Sequence, residues 1–571
     1  MPGPSAADSL RAHLAYKPEP LRFGTSGRRG RVVDLTNLEI YTNVLAEVHY
    51  LQSLKISDGG IKSGDDFYYA YDLRPSSTSY VENRRGALCQ AVEQALRDGG
   101  MRPVNLGAIP TPALAYYAIR HGKGSIMVTG SHIPFDRNGY KLNTSRGELM
   151  KSDEEPINSA VALKREELLS QPYAESLFDD QGVFRREPSS LIPTIADGRA
   201  AYIQRYLDFF DGETLDGMKV LIYQHSAVGR DLVVDIFQRL GAEVVSTGRS
   251  ETFVPIDTEA IDEAQLNTIQ TLYDKTSQKF DAVISTDGDS DRPLLLAPEC
   301  NDRLRFFGGD LLGMVVAEFL GADSVVVPIS TNDAIDRGSL ASAVEPKTKI
   351  GSPYVIAGMQ RAASSSSQRR VCGWEANGGF LTGSDIDRNG KTLAALPTRD
   401  AVLPVLCALF AARSRKMSLP GLFNTLPHRF SRAALIRDFP RPTSAKIIER
   451  FSPADDAVCK VEYHADHIAA QDADGTLLQV PDSRVERLAT IRRDLQTVFS
   501  GPDFAPIARL DYTDGVRIVF ADGDVAHFRP SGNADEIRIY SVADSQARAD
   551  AIANLGVAEP DGLLRRLEQM V

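Results

Sequence analysis

Three stretches of this chain repeat one pattern: an amphipathic helix, a glycine that closes it, and a short β-branched strand. YVENRRGALCQAVEQALRDGG leads into MRPVNLG, GRDLVVDIFQRLG into AEVVSTG, and GGDLLGMVVAEFLG into ADSVVVPIS. A glycine at a helix C-terminus followed at once by an apolar strand describes α/β units feeding a mostly parallel sheet. The three starts lie roughly 80 to 150 residues apart, too far for a solenoid and suited to separate α/β domains.

The last part of the chain breaks the pattern. VRIVFADGDVAHFRP reads as two alternating strands around an Asp-Gly turn, and EIRIYSVA with a helix follows, which is α+β material. With 571 residues the chain is too long for one core. We therefore expect four domains: 1–190, 191–300, 301–425 and 426–571. Segment 176–200 and the stretch after Cys300 are candidate linkers, and Ser364 to Ser367 a candidate mobile loop.

Composition narrows the function classes. Apolar residues make up 43% and charged residues 25%, which excludes a disordered chain. Sixty-four Lys and Arg against 76 Asp and Glu give a net charge of −12, so a basic face for nucleic acid is not expected. An anionic substrate would need a local cluster of Arg and Lys. The first residues lack the basic and apolar regions of a secretory signal, and AVLPVLCALFAA is too short to span a membrane and reads as a core helix. Five scattered cysteines (Cys89, Cys300, Cys372, Cys407, Cys459) without a C-x-x-C pair fit a reducing cytoplasm.

Five short motifs carry chemistry. In STDGDSDRPLLL, Asp287, Asp289 and Asp291 alternate after the strand AVIST, so three carboxylates can converge on one hard cation. Arg292 and Pro298 stand where a calcium loop needs Gly and Glu, which leaves magnesium or an acidic turn without metal. In GSIMVTGSHIPFDRNGYKL, Ser131 follows a strand at its carboxyl end, where α/β domains keep their sites. His132 and Lys141 lie beside it, and a serine hydroxyl needs such help to act as a nucleophile. WEANGG carries Glu375 and Asn377, read either as a tight turn or as a site for sugar hydroxyls. FRPSGNADEIRIY places Arg529, Ser531, Gly532 and Asn533 in one loop, and FGTSGRRG places Arg29 in another, both suited to phosphate.

The order GTSGRRG, TGSHIPFDRNGYK, DGDSDR, WEANGG, RPSGNADEIRIY resembles the α-D-phosphohexomutase superfamily, and within it the bacterial phosphomannomutase-like members, over residues 22 to about 545. That resemblance implies three tandem similar α/β domains with mixed sheets plus a C-terminal α+β domain, arranged around a central cleft. It implies a phosphoserine at Ser131 and a magnesium ion held by Ser131, Asp287, Asp289 and Asp291. It assigns sugar recognition to Glu375 and Asn377, and the distal phosphate to Arg529, Ser531, Gly532 and Asn533. Arg29 and Lys141 match the family's loop arginine and lysine.

The implied activity is interconversion of hexose 1-phosphate and hexose 6-phosphate through a hexose 1,6-bisphosphate, with mannose as the first expectation and glucose or glucosamine as alternatives. An inactive sugar-phosphate-binding protein is the alternative of another class. The implied partners are a phosphorylated hexose, with no nucleic acid and no membrane, on a monomer or homodimer. A phosphoserine carries roughly −2, so with three aspartates and one magnesium about −3 remains to be offset. Arg292, Lys141 and Arg29 are the cations the motifs supply, and Lys141 and His132 are the candidate bases for the sugar hydroxyl.

The chain departs from the family pattern at three places. Ile133 stands for an asparagine and Asn533 for a threonine. In the sugar loop, where phosphomannomutase/phosphoglucomutase members read G-E-x-S-G-H, Trp374 and Gly379 occupy the first and last positions. The acid–base histidine of that motif is therefore missing, and the choice of hexose is what this unsettles.

Overall fold

A computed structural model describes residues 8–24, 27–186, 190–259, 261–365, 369–500, 503–531 and 535–571. The chain forms two compact units, residues 1–307 with 378–420, and residues 308–377 with 421–571.

The first unit contains two large sheets. In the seven-stranded sheet, Asp66–Tyr71 runs parallel to both Arg102–Asn105 and Ser125–Val128, and Arg137–Thr144 returns antiparallel beside Ser125–Val128. Helices Asn37–Ser53 and Leu88–Asp98 pack together on it, burying Val44, Val48 and Leu51 with Leu88, Val92 and Leu96. Thr36 caps the longer helix by accepting from the Glu39 amide. The five-stranded sheet sets Lys219–His225 parallel to Glu243–Arg249 and Ala282–Thr286, with Pro293–Pro298 and Leu304–Phe307 antiparallel at its edge. Both sheets are mixed because a hairpin follows the strand that ends in each site loop.

The same unit holds the pair Phe380–Thr382 and Leu396–Asp400 and the helix Val402–Ser414. That helix is the sequence AVLPVLCALFAA, buried nearly all round as expected of a core helix. Among the described residues no helix is long and apolar enough to cross a membrane.

In the second unit, Ser324–Val326 pairs parallel with Val371–Trp374 beside helices Gly309–Leu320 and Ser352–Ser365. An antiparallel sheet of eight strands follows, in which Phe430–Arg437 and Glu536–Ala543 pair over their full length. The Asp-Gly hairpin is present: Val516–Phe520 and Val525–Pro530 pair, and Gly523 turns between them at φ +89°.

Four expectations change. The helix read from Tyr80 begins only at Leu88, because Gly86 (φ +99°) and Ala87 (φ +50°) hold a left-handed turn in which the Ala87 amide donates to Ser79 O. Part of segment 176–200 is no linker, since Phe178 and Phe184 are buried in the first core. The stretch after Cys300 is the turn joining Pro293–Pro298 to Leu304–Phe307, which carries the second sheet past residue 300. Of the serine run, Ser364 and Ser365 end a helix, and Ser366 and Ser367 lie outside the described residues.

Candidate active site

Two loops of the first unit meet around Ser131. The strand Ser125–Val128 ends in Thr129-Gly130, and Ser131 follows in the left-handed region at φ +53°. Its amide donates to Thr129 Oγ1 at 2.7 Å. Its hydroxyl is buried and donates to Asp287 Oδ2 at 2.7 Å, with His132 Nδ1 at 3.3 Å. The second loop leaves the strand Ala282–Thr286. Asp287, Asp289 and Asp291 are fully buried, and one oxygen from each lies within 4.8 Å of the others.

Asp289 and Asp291 are each tied on one side, and Asp287 on both. Asp289 Oδ2 accepts from Thr111 Oγ1 at 2.6 Å and Lys141 Nζ at 2.7 Å. Asp291 Oδ2 accepts from Lys141 Nζ at 2.6 Å and Arg399 Nε at 3.1 Å. Asp287 Oδ1 accepts the amides of Asp291 and Arg292. The Oδ1 atoms of Asp289 and Asp291 are buried without a hydrogen-bond partner. An all-oxygen set with two such orphaned atoms fits a hard divalent cation, which would complete their coordination. Burial, then the charges of Asp289 and Asp291, push the Asp287 carboxyl far above its ordinary range. Burial works the same way on Asp289 and Asp291, yet Lys141 on the first and Arg399 on the second hold them below it.

Arg29 donates to Arg28 O and Tyr140 O, and burial lowers its guanidinium to about 10 despite the charge of Asp289. Arg292 is buried beside Asp291, with its Nε 3.7 Å from Asp291 Oδ1. The structure thus brings together Ser131, His132, Lys141, Arg29, Arg292 and the three aspartates.

Glu375, Asn377, Arg529 and Ser531 belong to the second unit. Glu375 and Asn377 are buried after Trp374, whose indole lies on Gly313 so closely that a Cβ there would stand 2.4 Å from the ring. Arg529 lies at the end of Val525–Pro530 with its Nε 3.4 Å from Asp514 Oδ1, and the Ser531 amide donates to Glu536 O. Gly532 and Asn533 lie outside the described residues.

Sequence reasoning missed the supports. Arg74 is fully buried and uses all five of its N–H donors. Nε donates to Asp72, Nη1 to Pro134 O and Arg137 O, and Nη2 to Ser131 O and Ile133 O. Asp72 in turn accepts from Thr129 Oγ1 and the Gly130 amide. Phe253 covers the Arg74 guanidinium at 3.8 Å. Beneath the aspartate loop, His225 Nε2 lies 2.8 Å from Thr286 O, and burial lowers its imidazole to about 4. Thr111 and Arg399 were missed as well. The one available signal was the Asp-x-Arg of AYDLRPSS, which leaves a parallel strand at its carboxyl end just as Ser131 does.

Known proteins bear on this arrangement. Residues 20–167, 200–299 and 308–430 match domains I, II and III of phosphoglucomutase/phosphomannomutase, each described as alpha/beta/alpha. A phosphomannomutase of Salmonella muenchen is 37% identical over 530 residues, covering 93% of each chain. One of Sinorhizobium fredii is 36% identical over 539 residues, covering 94% of this chain and 98% of its own. A Phosphoglucomutase/phosphomannomutase family protein from Burkholderia thailandensis shares the fold, with a TM-score of 0.58 at 16% identity over 96% of this chain and 97% of that one. Three successive domain matches and two relatives over nearly the whole length place the chain in the phosphoglucomutase/phosphomannomutase family, as a phosphohexomutase.

Proposed function

We propose that this phosphohexomutase interconverts mannose 1-phosphate and mannose 6-phosphate through a phosphoserine at Ser131 and a mannose 1,6-bisphosphate. The observation that carries the reading is the buried Ser131 hydroxyl, 2.7 Å from Asp287 inside a triad of carboxylates. Mannose comes from the two relatives named phosphomannomutase. Trp374 and Gly379 in the sugar loop are the residues that favour glucose or glucosamine as the second reading.

The two phosphate positions of one hexose are too far apart for a single in-line transfer, so the serine gives its own phosphoryl group to the free oxygen and takes back the one on the other oxygen. Ser131 gives its phosphoryl to the free sugar hydroxyl, and the P–O bond to Oγ breaks as the bond to the sugar oxygen forms. Lys141, donating to two carboxylates, serves as a fixed positive charge beside the transferring group. His132, 3.3 Å from Ser131 Oγ, is placed to carry the proton released by the sugar hydroxyl. Arg29 and Arg292 offset the remaining negative charge. Asp287, Asp289, Asp291 and Ser131 would hold a magnesium ion, which supplies charge neutralisation to phosphoryl oxygens when bound. Glu375 and Asn377 are assigned to the sugar hydroxyls. Arg529, Ser531, Gly532 and Asn533 are assigned to the non-reacting phosphate. We further propose four domains with boundaries near 190, 300–307 and 425, and a cytoplasmic location, which five cysteines without disulfides support.

The test is a label chase. Labelled phosphate from mannose 1,6-bisphosphate is expected on Ser131 and then on mannose monophosphate. Ser131→Ala should bind substrate yet lose turnover. Release of the label to water at the catalytic rate would mean a phosphatase, and no labelling at all an inactive binding protein. Near-normal isomerisation by Ser131→Ala would overturn the phosphoserine.

A further inference from the structure

We infer that Arg399 orients Asp291 for the cation, and that Gly379 is glycine because the arginine stem occupies the place of a side chain there. This rests on the reading of the aspartate triad as a cation site. Arg399 leaves the strand Leu396–Asp400 and is 1% exposed. Its Nε and Nη2 both lie 3.1 Å from Asp291 Oδ2, the same oxygen that accepts from Lys141 Nζ at 2.6 Å. With its cationic donors gathered on one oxygen, the carboxylate cannot rotate without giving them up. Its other oxygen, Oδ1, is left buried and unpartnered, and Arg292 Nε at 3.7 Å is beyond hydrogen-bond reach of it. Asp289 repeats the arrangement, with Thr111 and Lys141 on Oδ2 and nothing on Oδ1. Arg399 thus does for Asp291 what Thr111 does for Asp289.

The second observation is steric. A Cβ built on Gly379 would stand 2.6 Å from both Cγ and Cδ of Arg399 and 2.8 Å from its Cβ. Real Cβ atoms do not approach so closely, and the arginine Cβ is fixed to its strand, so the stem could not simply swing aside. Gly379 is the position at which the family motif ends in histidine. A histidine there and an arginine on this course exclude each other. The exchange also changes the chemistry, because a guanidinium stays protonated and has no acceptor. Arg399 cannot carry a proton as an imidazole could. It is a positioning residue, and proton transfer falls to other groups.

A double-mutant cycle on the full chain tests this. Magnesium affinity is read by calorimetry, with kcat and KM measured beside it, on Arg399→Ala, Gly379→Ala and the double variant. Loss of a partner that orients a metal ligand costs about 10- to 100-fold in metal affinity or activity. Arg399→Ala should lose affinity on that scale, with kcat falling more than KM rises. Gly379→Ala should lose affinity in the same sense by displacing the stem. The double variant should lose less than the two single losses combined, since without Cγ and Cδ the new methyl meets only the residue-399 Cβ at 2.8 Å. Magnesium affinity within twofold of the parent in Arg399→Ala, or losses that add in the double variant, would overturn the inference. Asp291→Ala is the control: if it binds magnesium as the parent does, the cation reading of the triad fails as well. Thermal unfolding of each variant confirms that the affinities refer to folded protein. Should Arg399→Ala not fold, Arg399→Lys is the replacement, expected to retain part of the affinity through a single donor.

Discussion

The loop of Ser131 and the loop of Arg529 are both phosphate loops in the proposed mechanism, and they are built by different means. In the first unit the support comes from buried side chains. Arg74 gathers four carbonyls of residues 131–137, Asp72 takes Thr129 and Gly130, and Ser131 is held at a left-handed φ. In the second unit the loop joins two strands that pair from Val525↔Val542 to Pro530↔Ile537, and the Ser531 amide continues toward Glu536 O. A backbone ladder sets a charge in roughly the right place. Placing a reacting oxygen against carboxylates within a few tenths of an ångström takes dedicated side chains, whose packing and bonds leave few alternatives. Damage to the first loop should therefore appear in the rate, and damage to the second in binding.

The largest test of that contrast is removal of the cation. Exhaustive chelation should abolish turnover and added magnesium should restore it, while sugar phosphate still binds in calorimetry through the Arg529 loop. Full turnover after chelation would break the comparison at its root.

Arg74→Ala comes next. Removing one member of a buried ion pair destabilises by about 3–5 kcal/mol, because the partner charge is left buried. Asp72 keeps the Arg74 amide, Ser77, Thr129 and Gly130 as donors, so the low end of that range is expected. The loop should lose its four-carbonyl anchor, so kcat should fall well before KM changes. A KM effect without loss of kcat would show that the serine loop is held by something else.

How much of this could be read from sequence follows the same division. The residues proposed to meet substrate or cation come in contiguous runs on loops, so Ser131, the three aspartates and the Arg529 hairpin stood out as motifs. The supports do not. Arg74 is 57 positions from Ser131, and Arg399 is 108 from Asp291. No periodicity links residues so far apart: parallel pairing of Asp66–Tyr71 with Ser125–Val128 brings Arg74 to Ser131, and Arg399 reaches Asp291 from a strand of another sheet. The helix–glycine–strand repeats were legible because helix periodicity and glycine caps are local. The late start at Leu88 was not, because it depends on a left-handed Ala87, which alanine rarely adopts.

A third test uses what the two loops share. Each lies near a buried histidine whose Nε2 meets a backbone carbonyl: His225 at 2.8 Å from Thr286 O, and His527 at 2.6 Å from Asp514 O. Burial lowers the first to about 4 and the second to about 3. The unfolded chain takes up these protons near pH 6.5 and the folded chain does so only below those values. The unfolded state therefore binds more protons between them, and stability falls as pH drops from about 6.5 toward 4, by up to about 3 kcal/mol per histidine. In urea titrations at stepped pH, His225→Gln and His527→Gln should each flatten the acid limb. A limb unchanged in both variants would place the acid sensitivity elsewhere.

The smallest effect is expected at Arg529, and it is the one that most directly separates recognition from chemistry. Arg529→Ala removes the guanidinium proposed to face the non-reacting phosphate and leaves the strand ladder intact. Losing a charge-assisted hydrogen bond costs on the order of 1.5–3 kcal/mol, or roughly ten- to two-hundredfold in affinity. KM for the hexose phosphate should rise by that factor. Some fall in kcat should accompany it, because in the proposed mechanism binding energy from the non-reacting phosphate also serves the transfer step. Labelling of Ser131 by the bisphosphate should still reach its full extent, since the Ser131 amide and hydroxyl are held by Thr129 and Asp287. Arg529→Lys should recover part of the KM, as a point charge replaces a fork. If Arg529→Ala left KM unchanged and slowed only the transfer step, the second unit would belong to the chemistry, and the division drawn between the two loops would not hold.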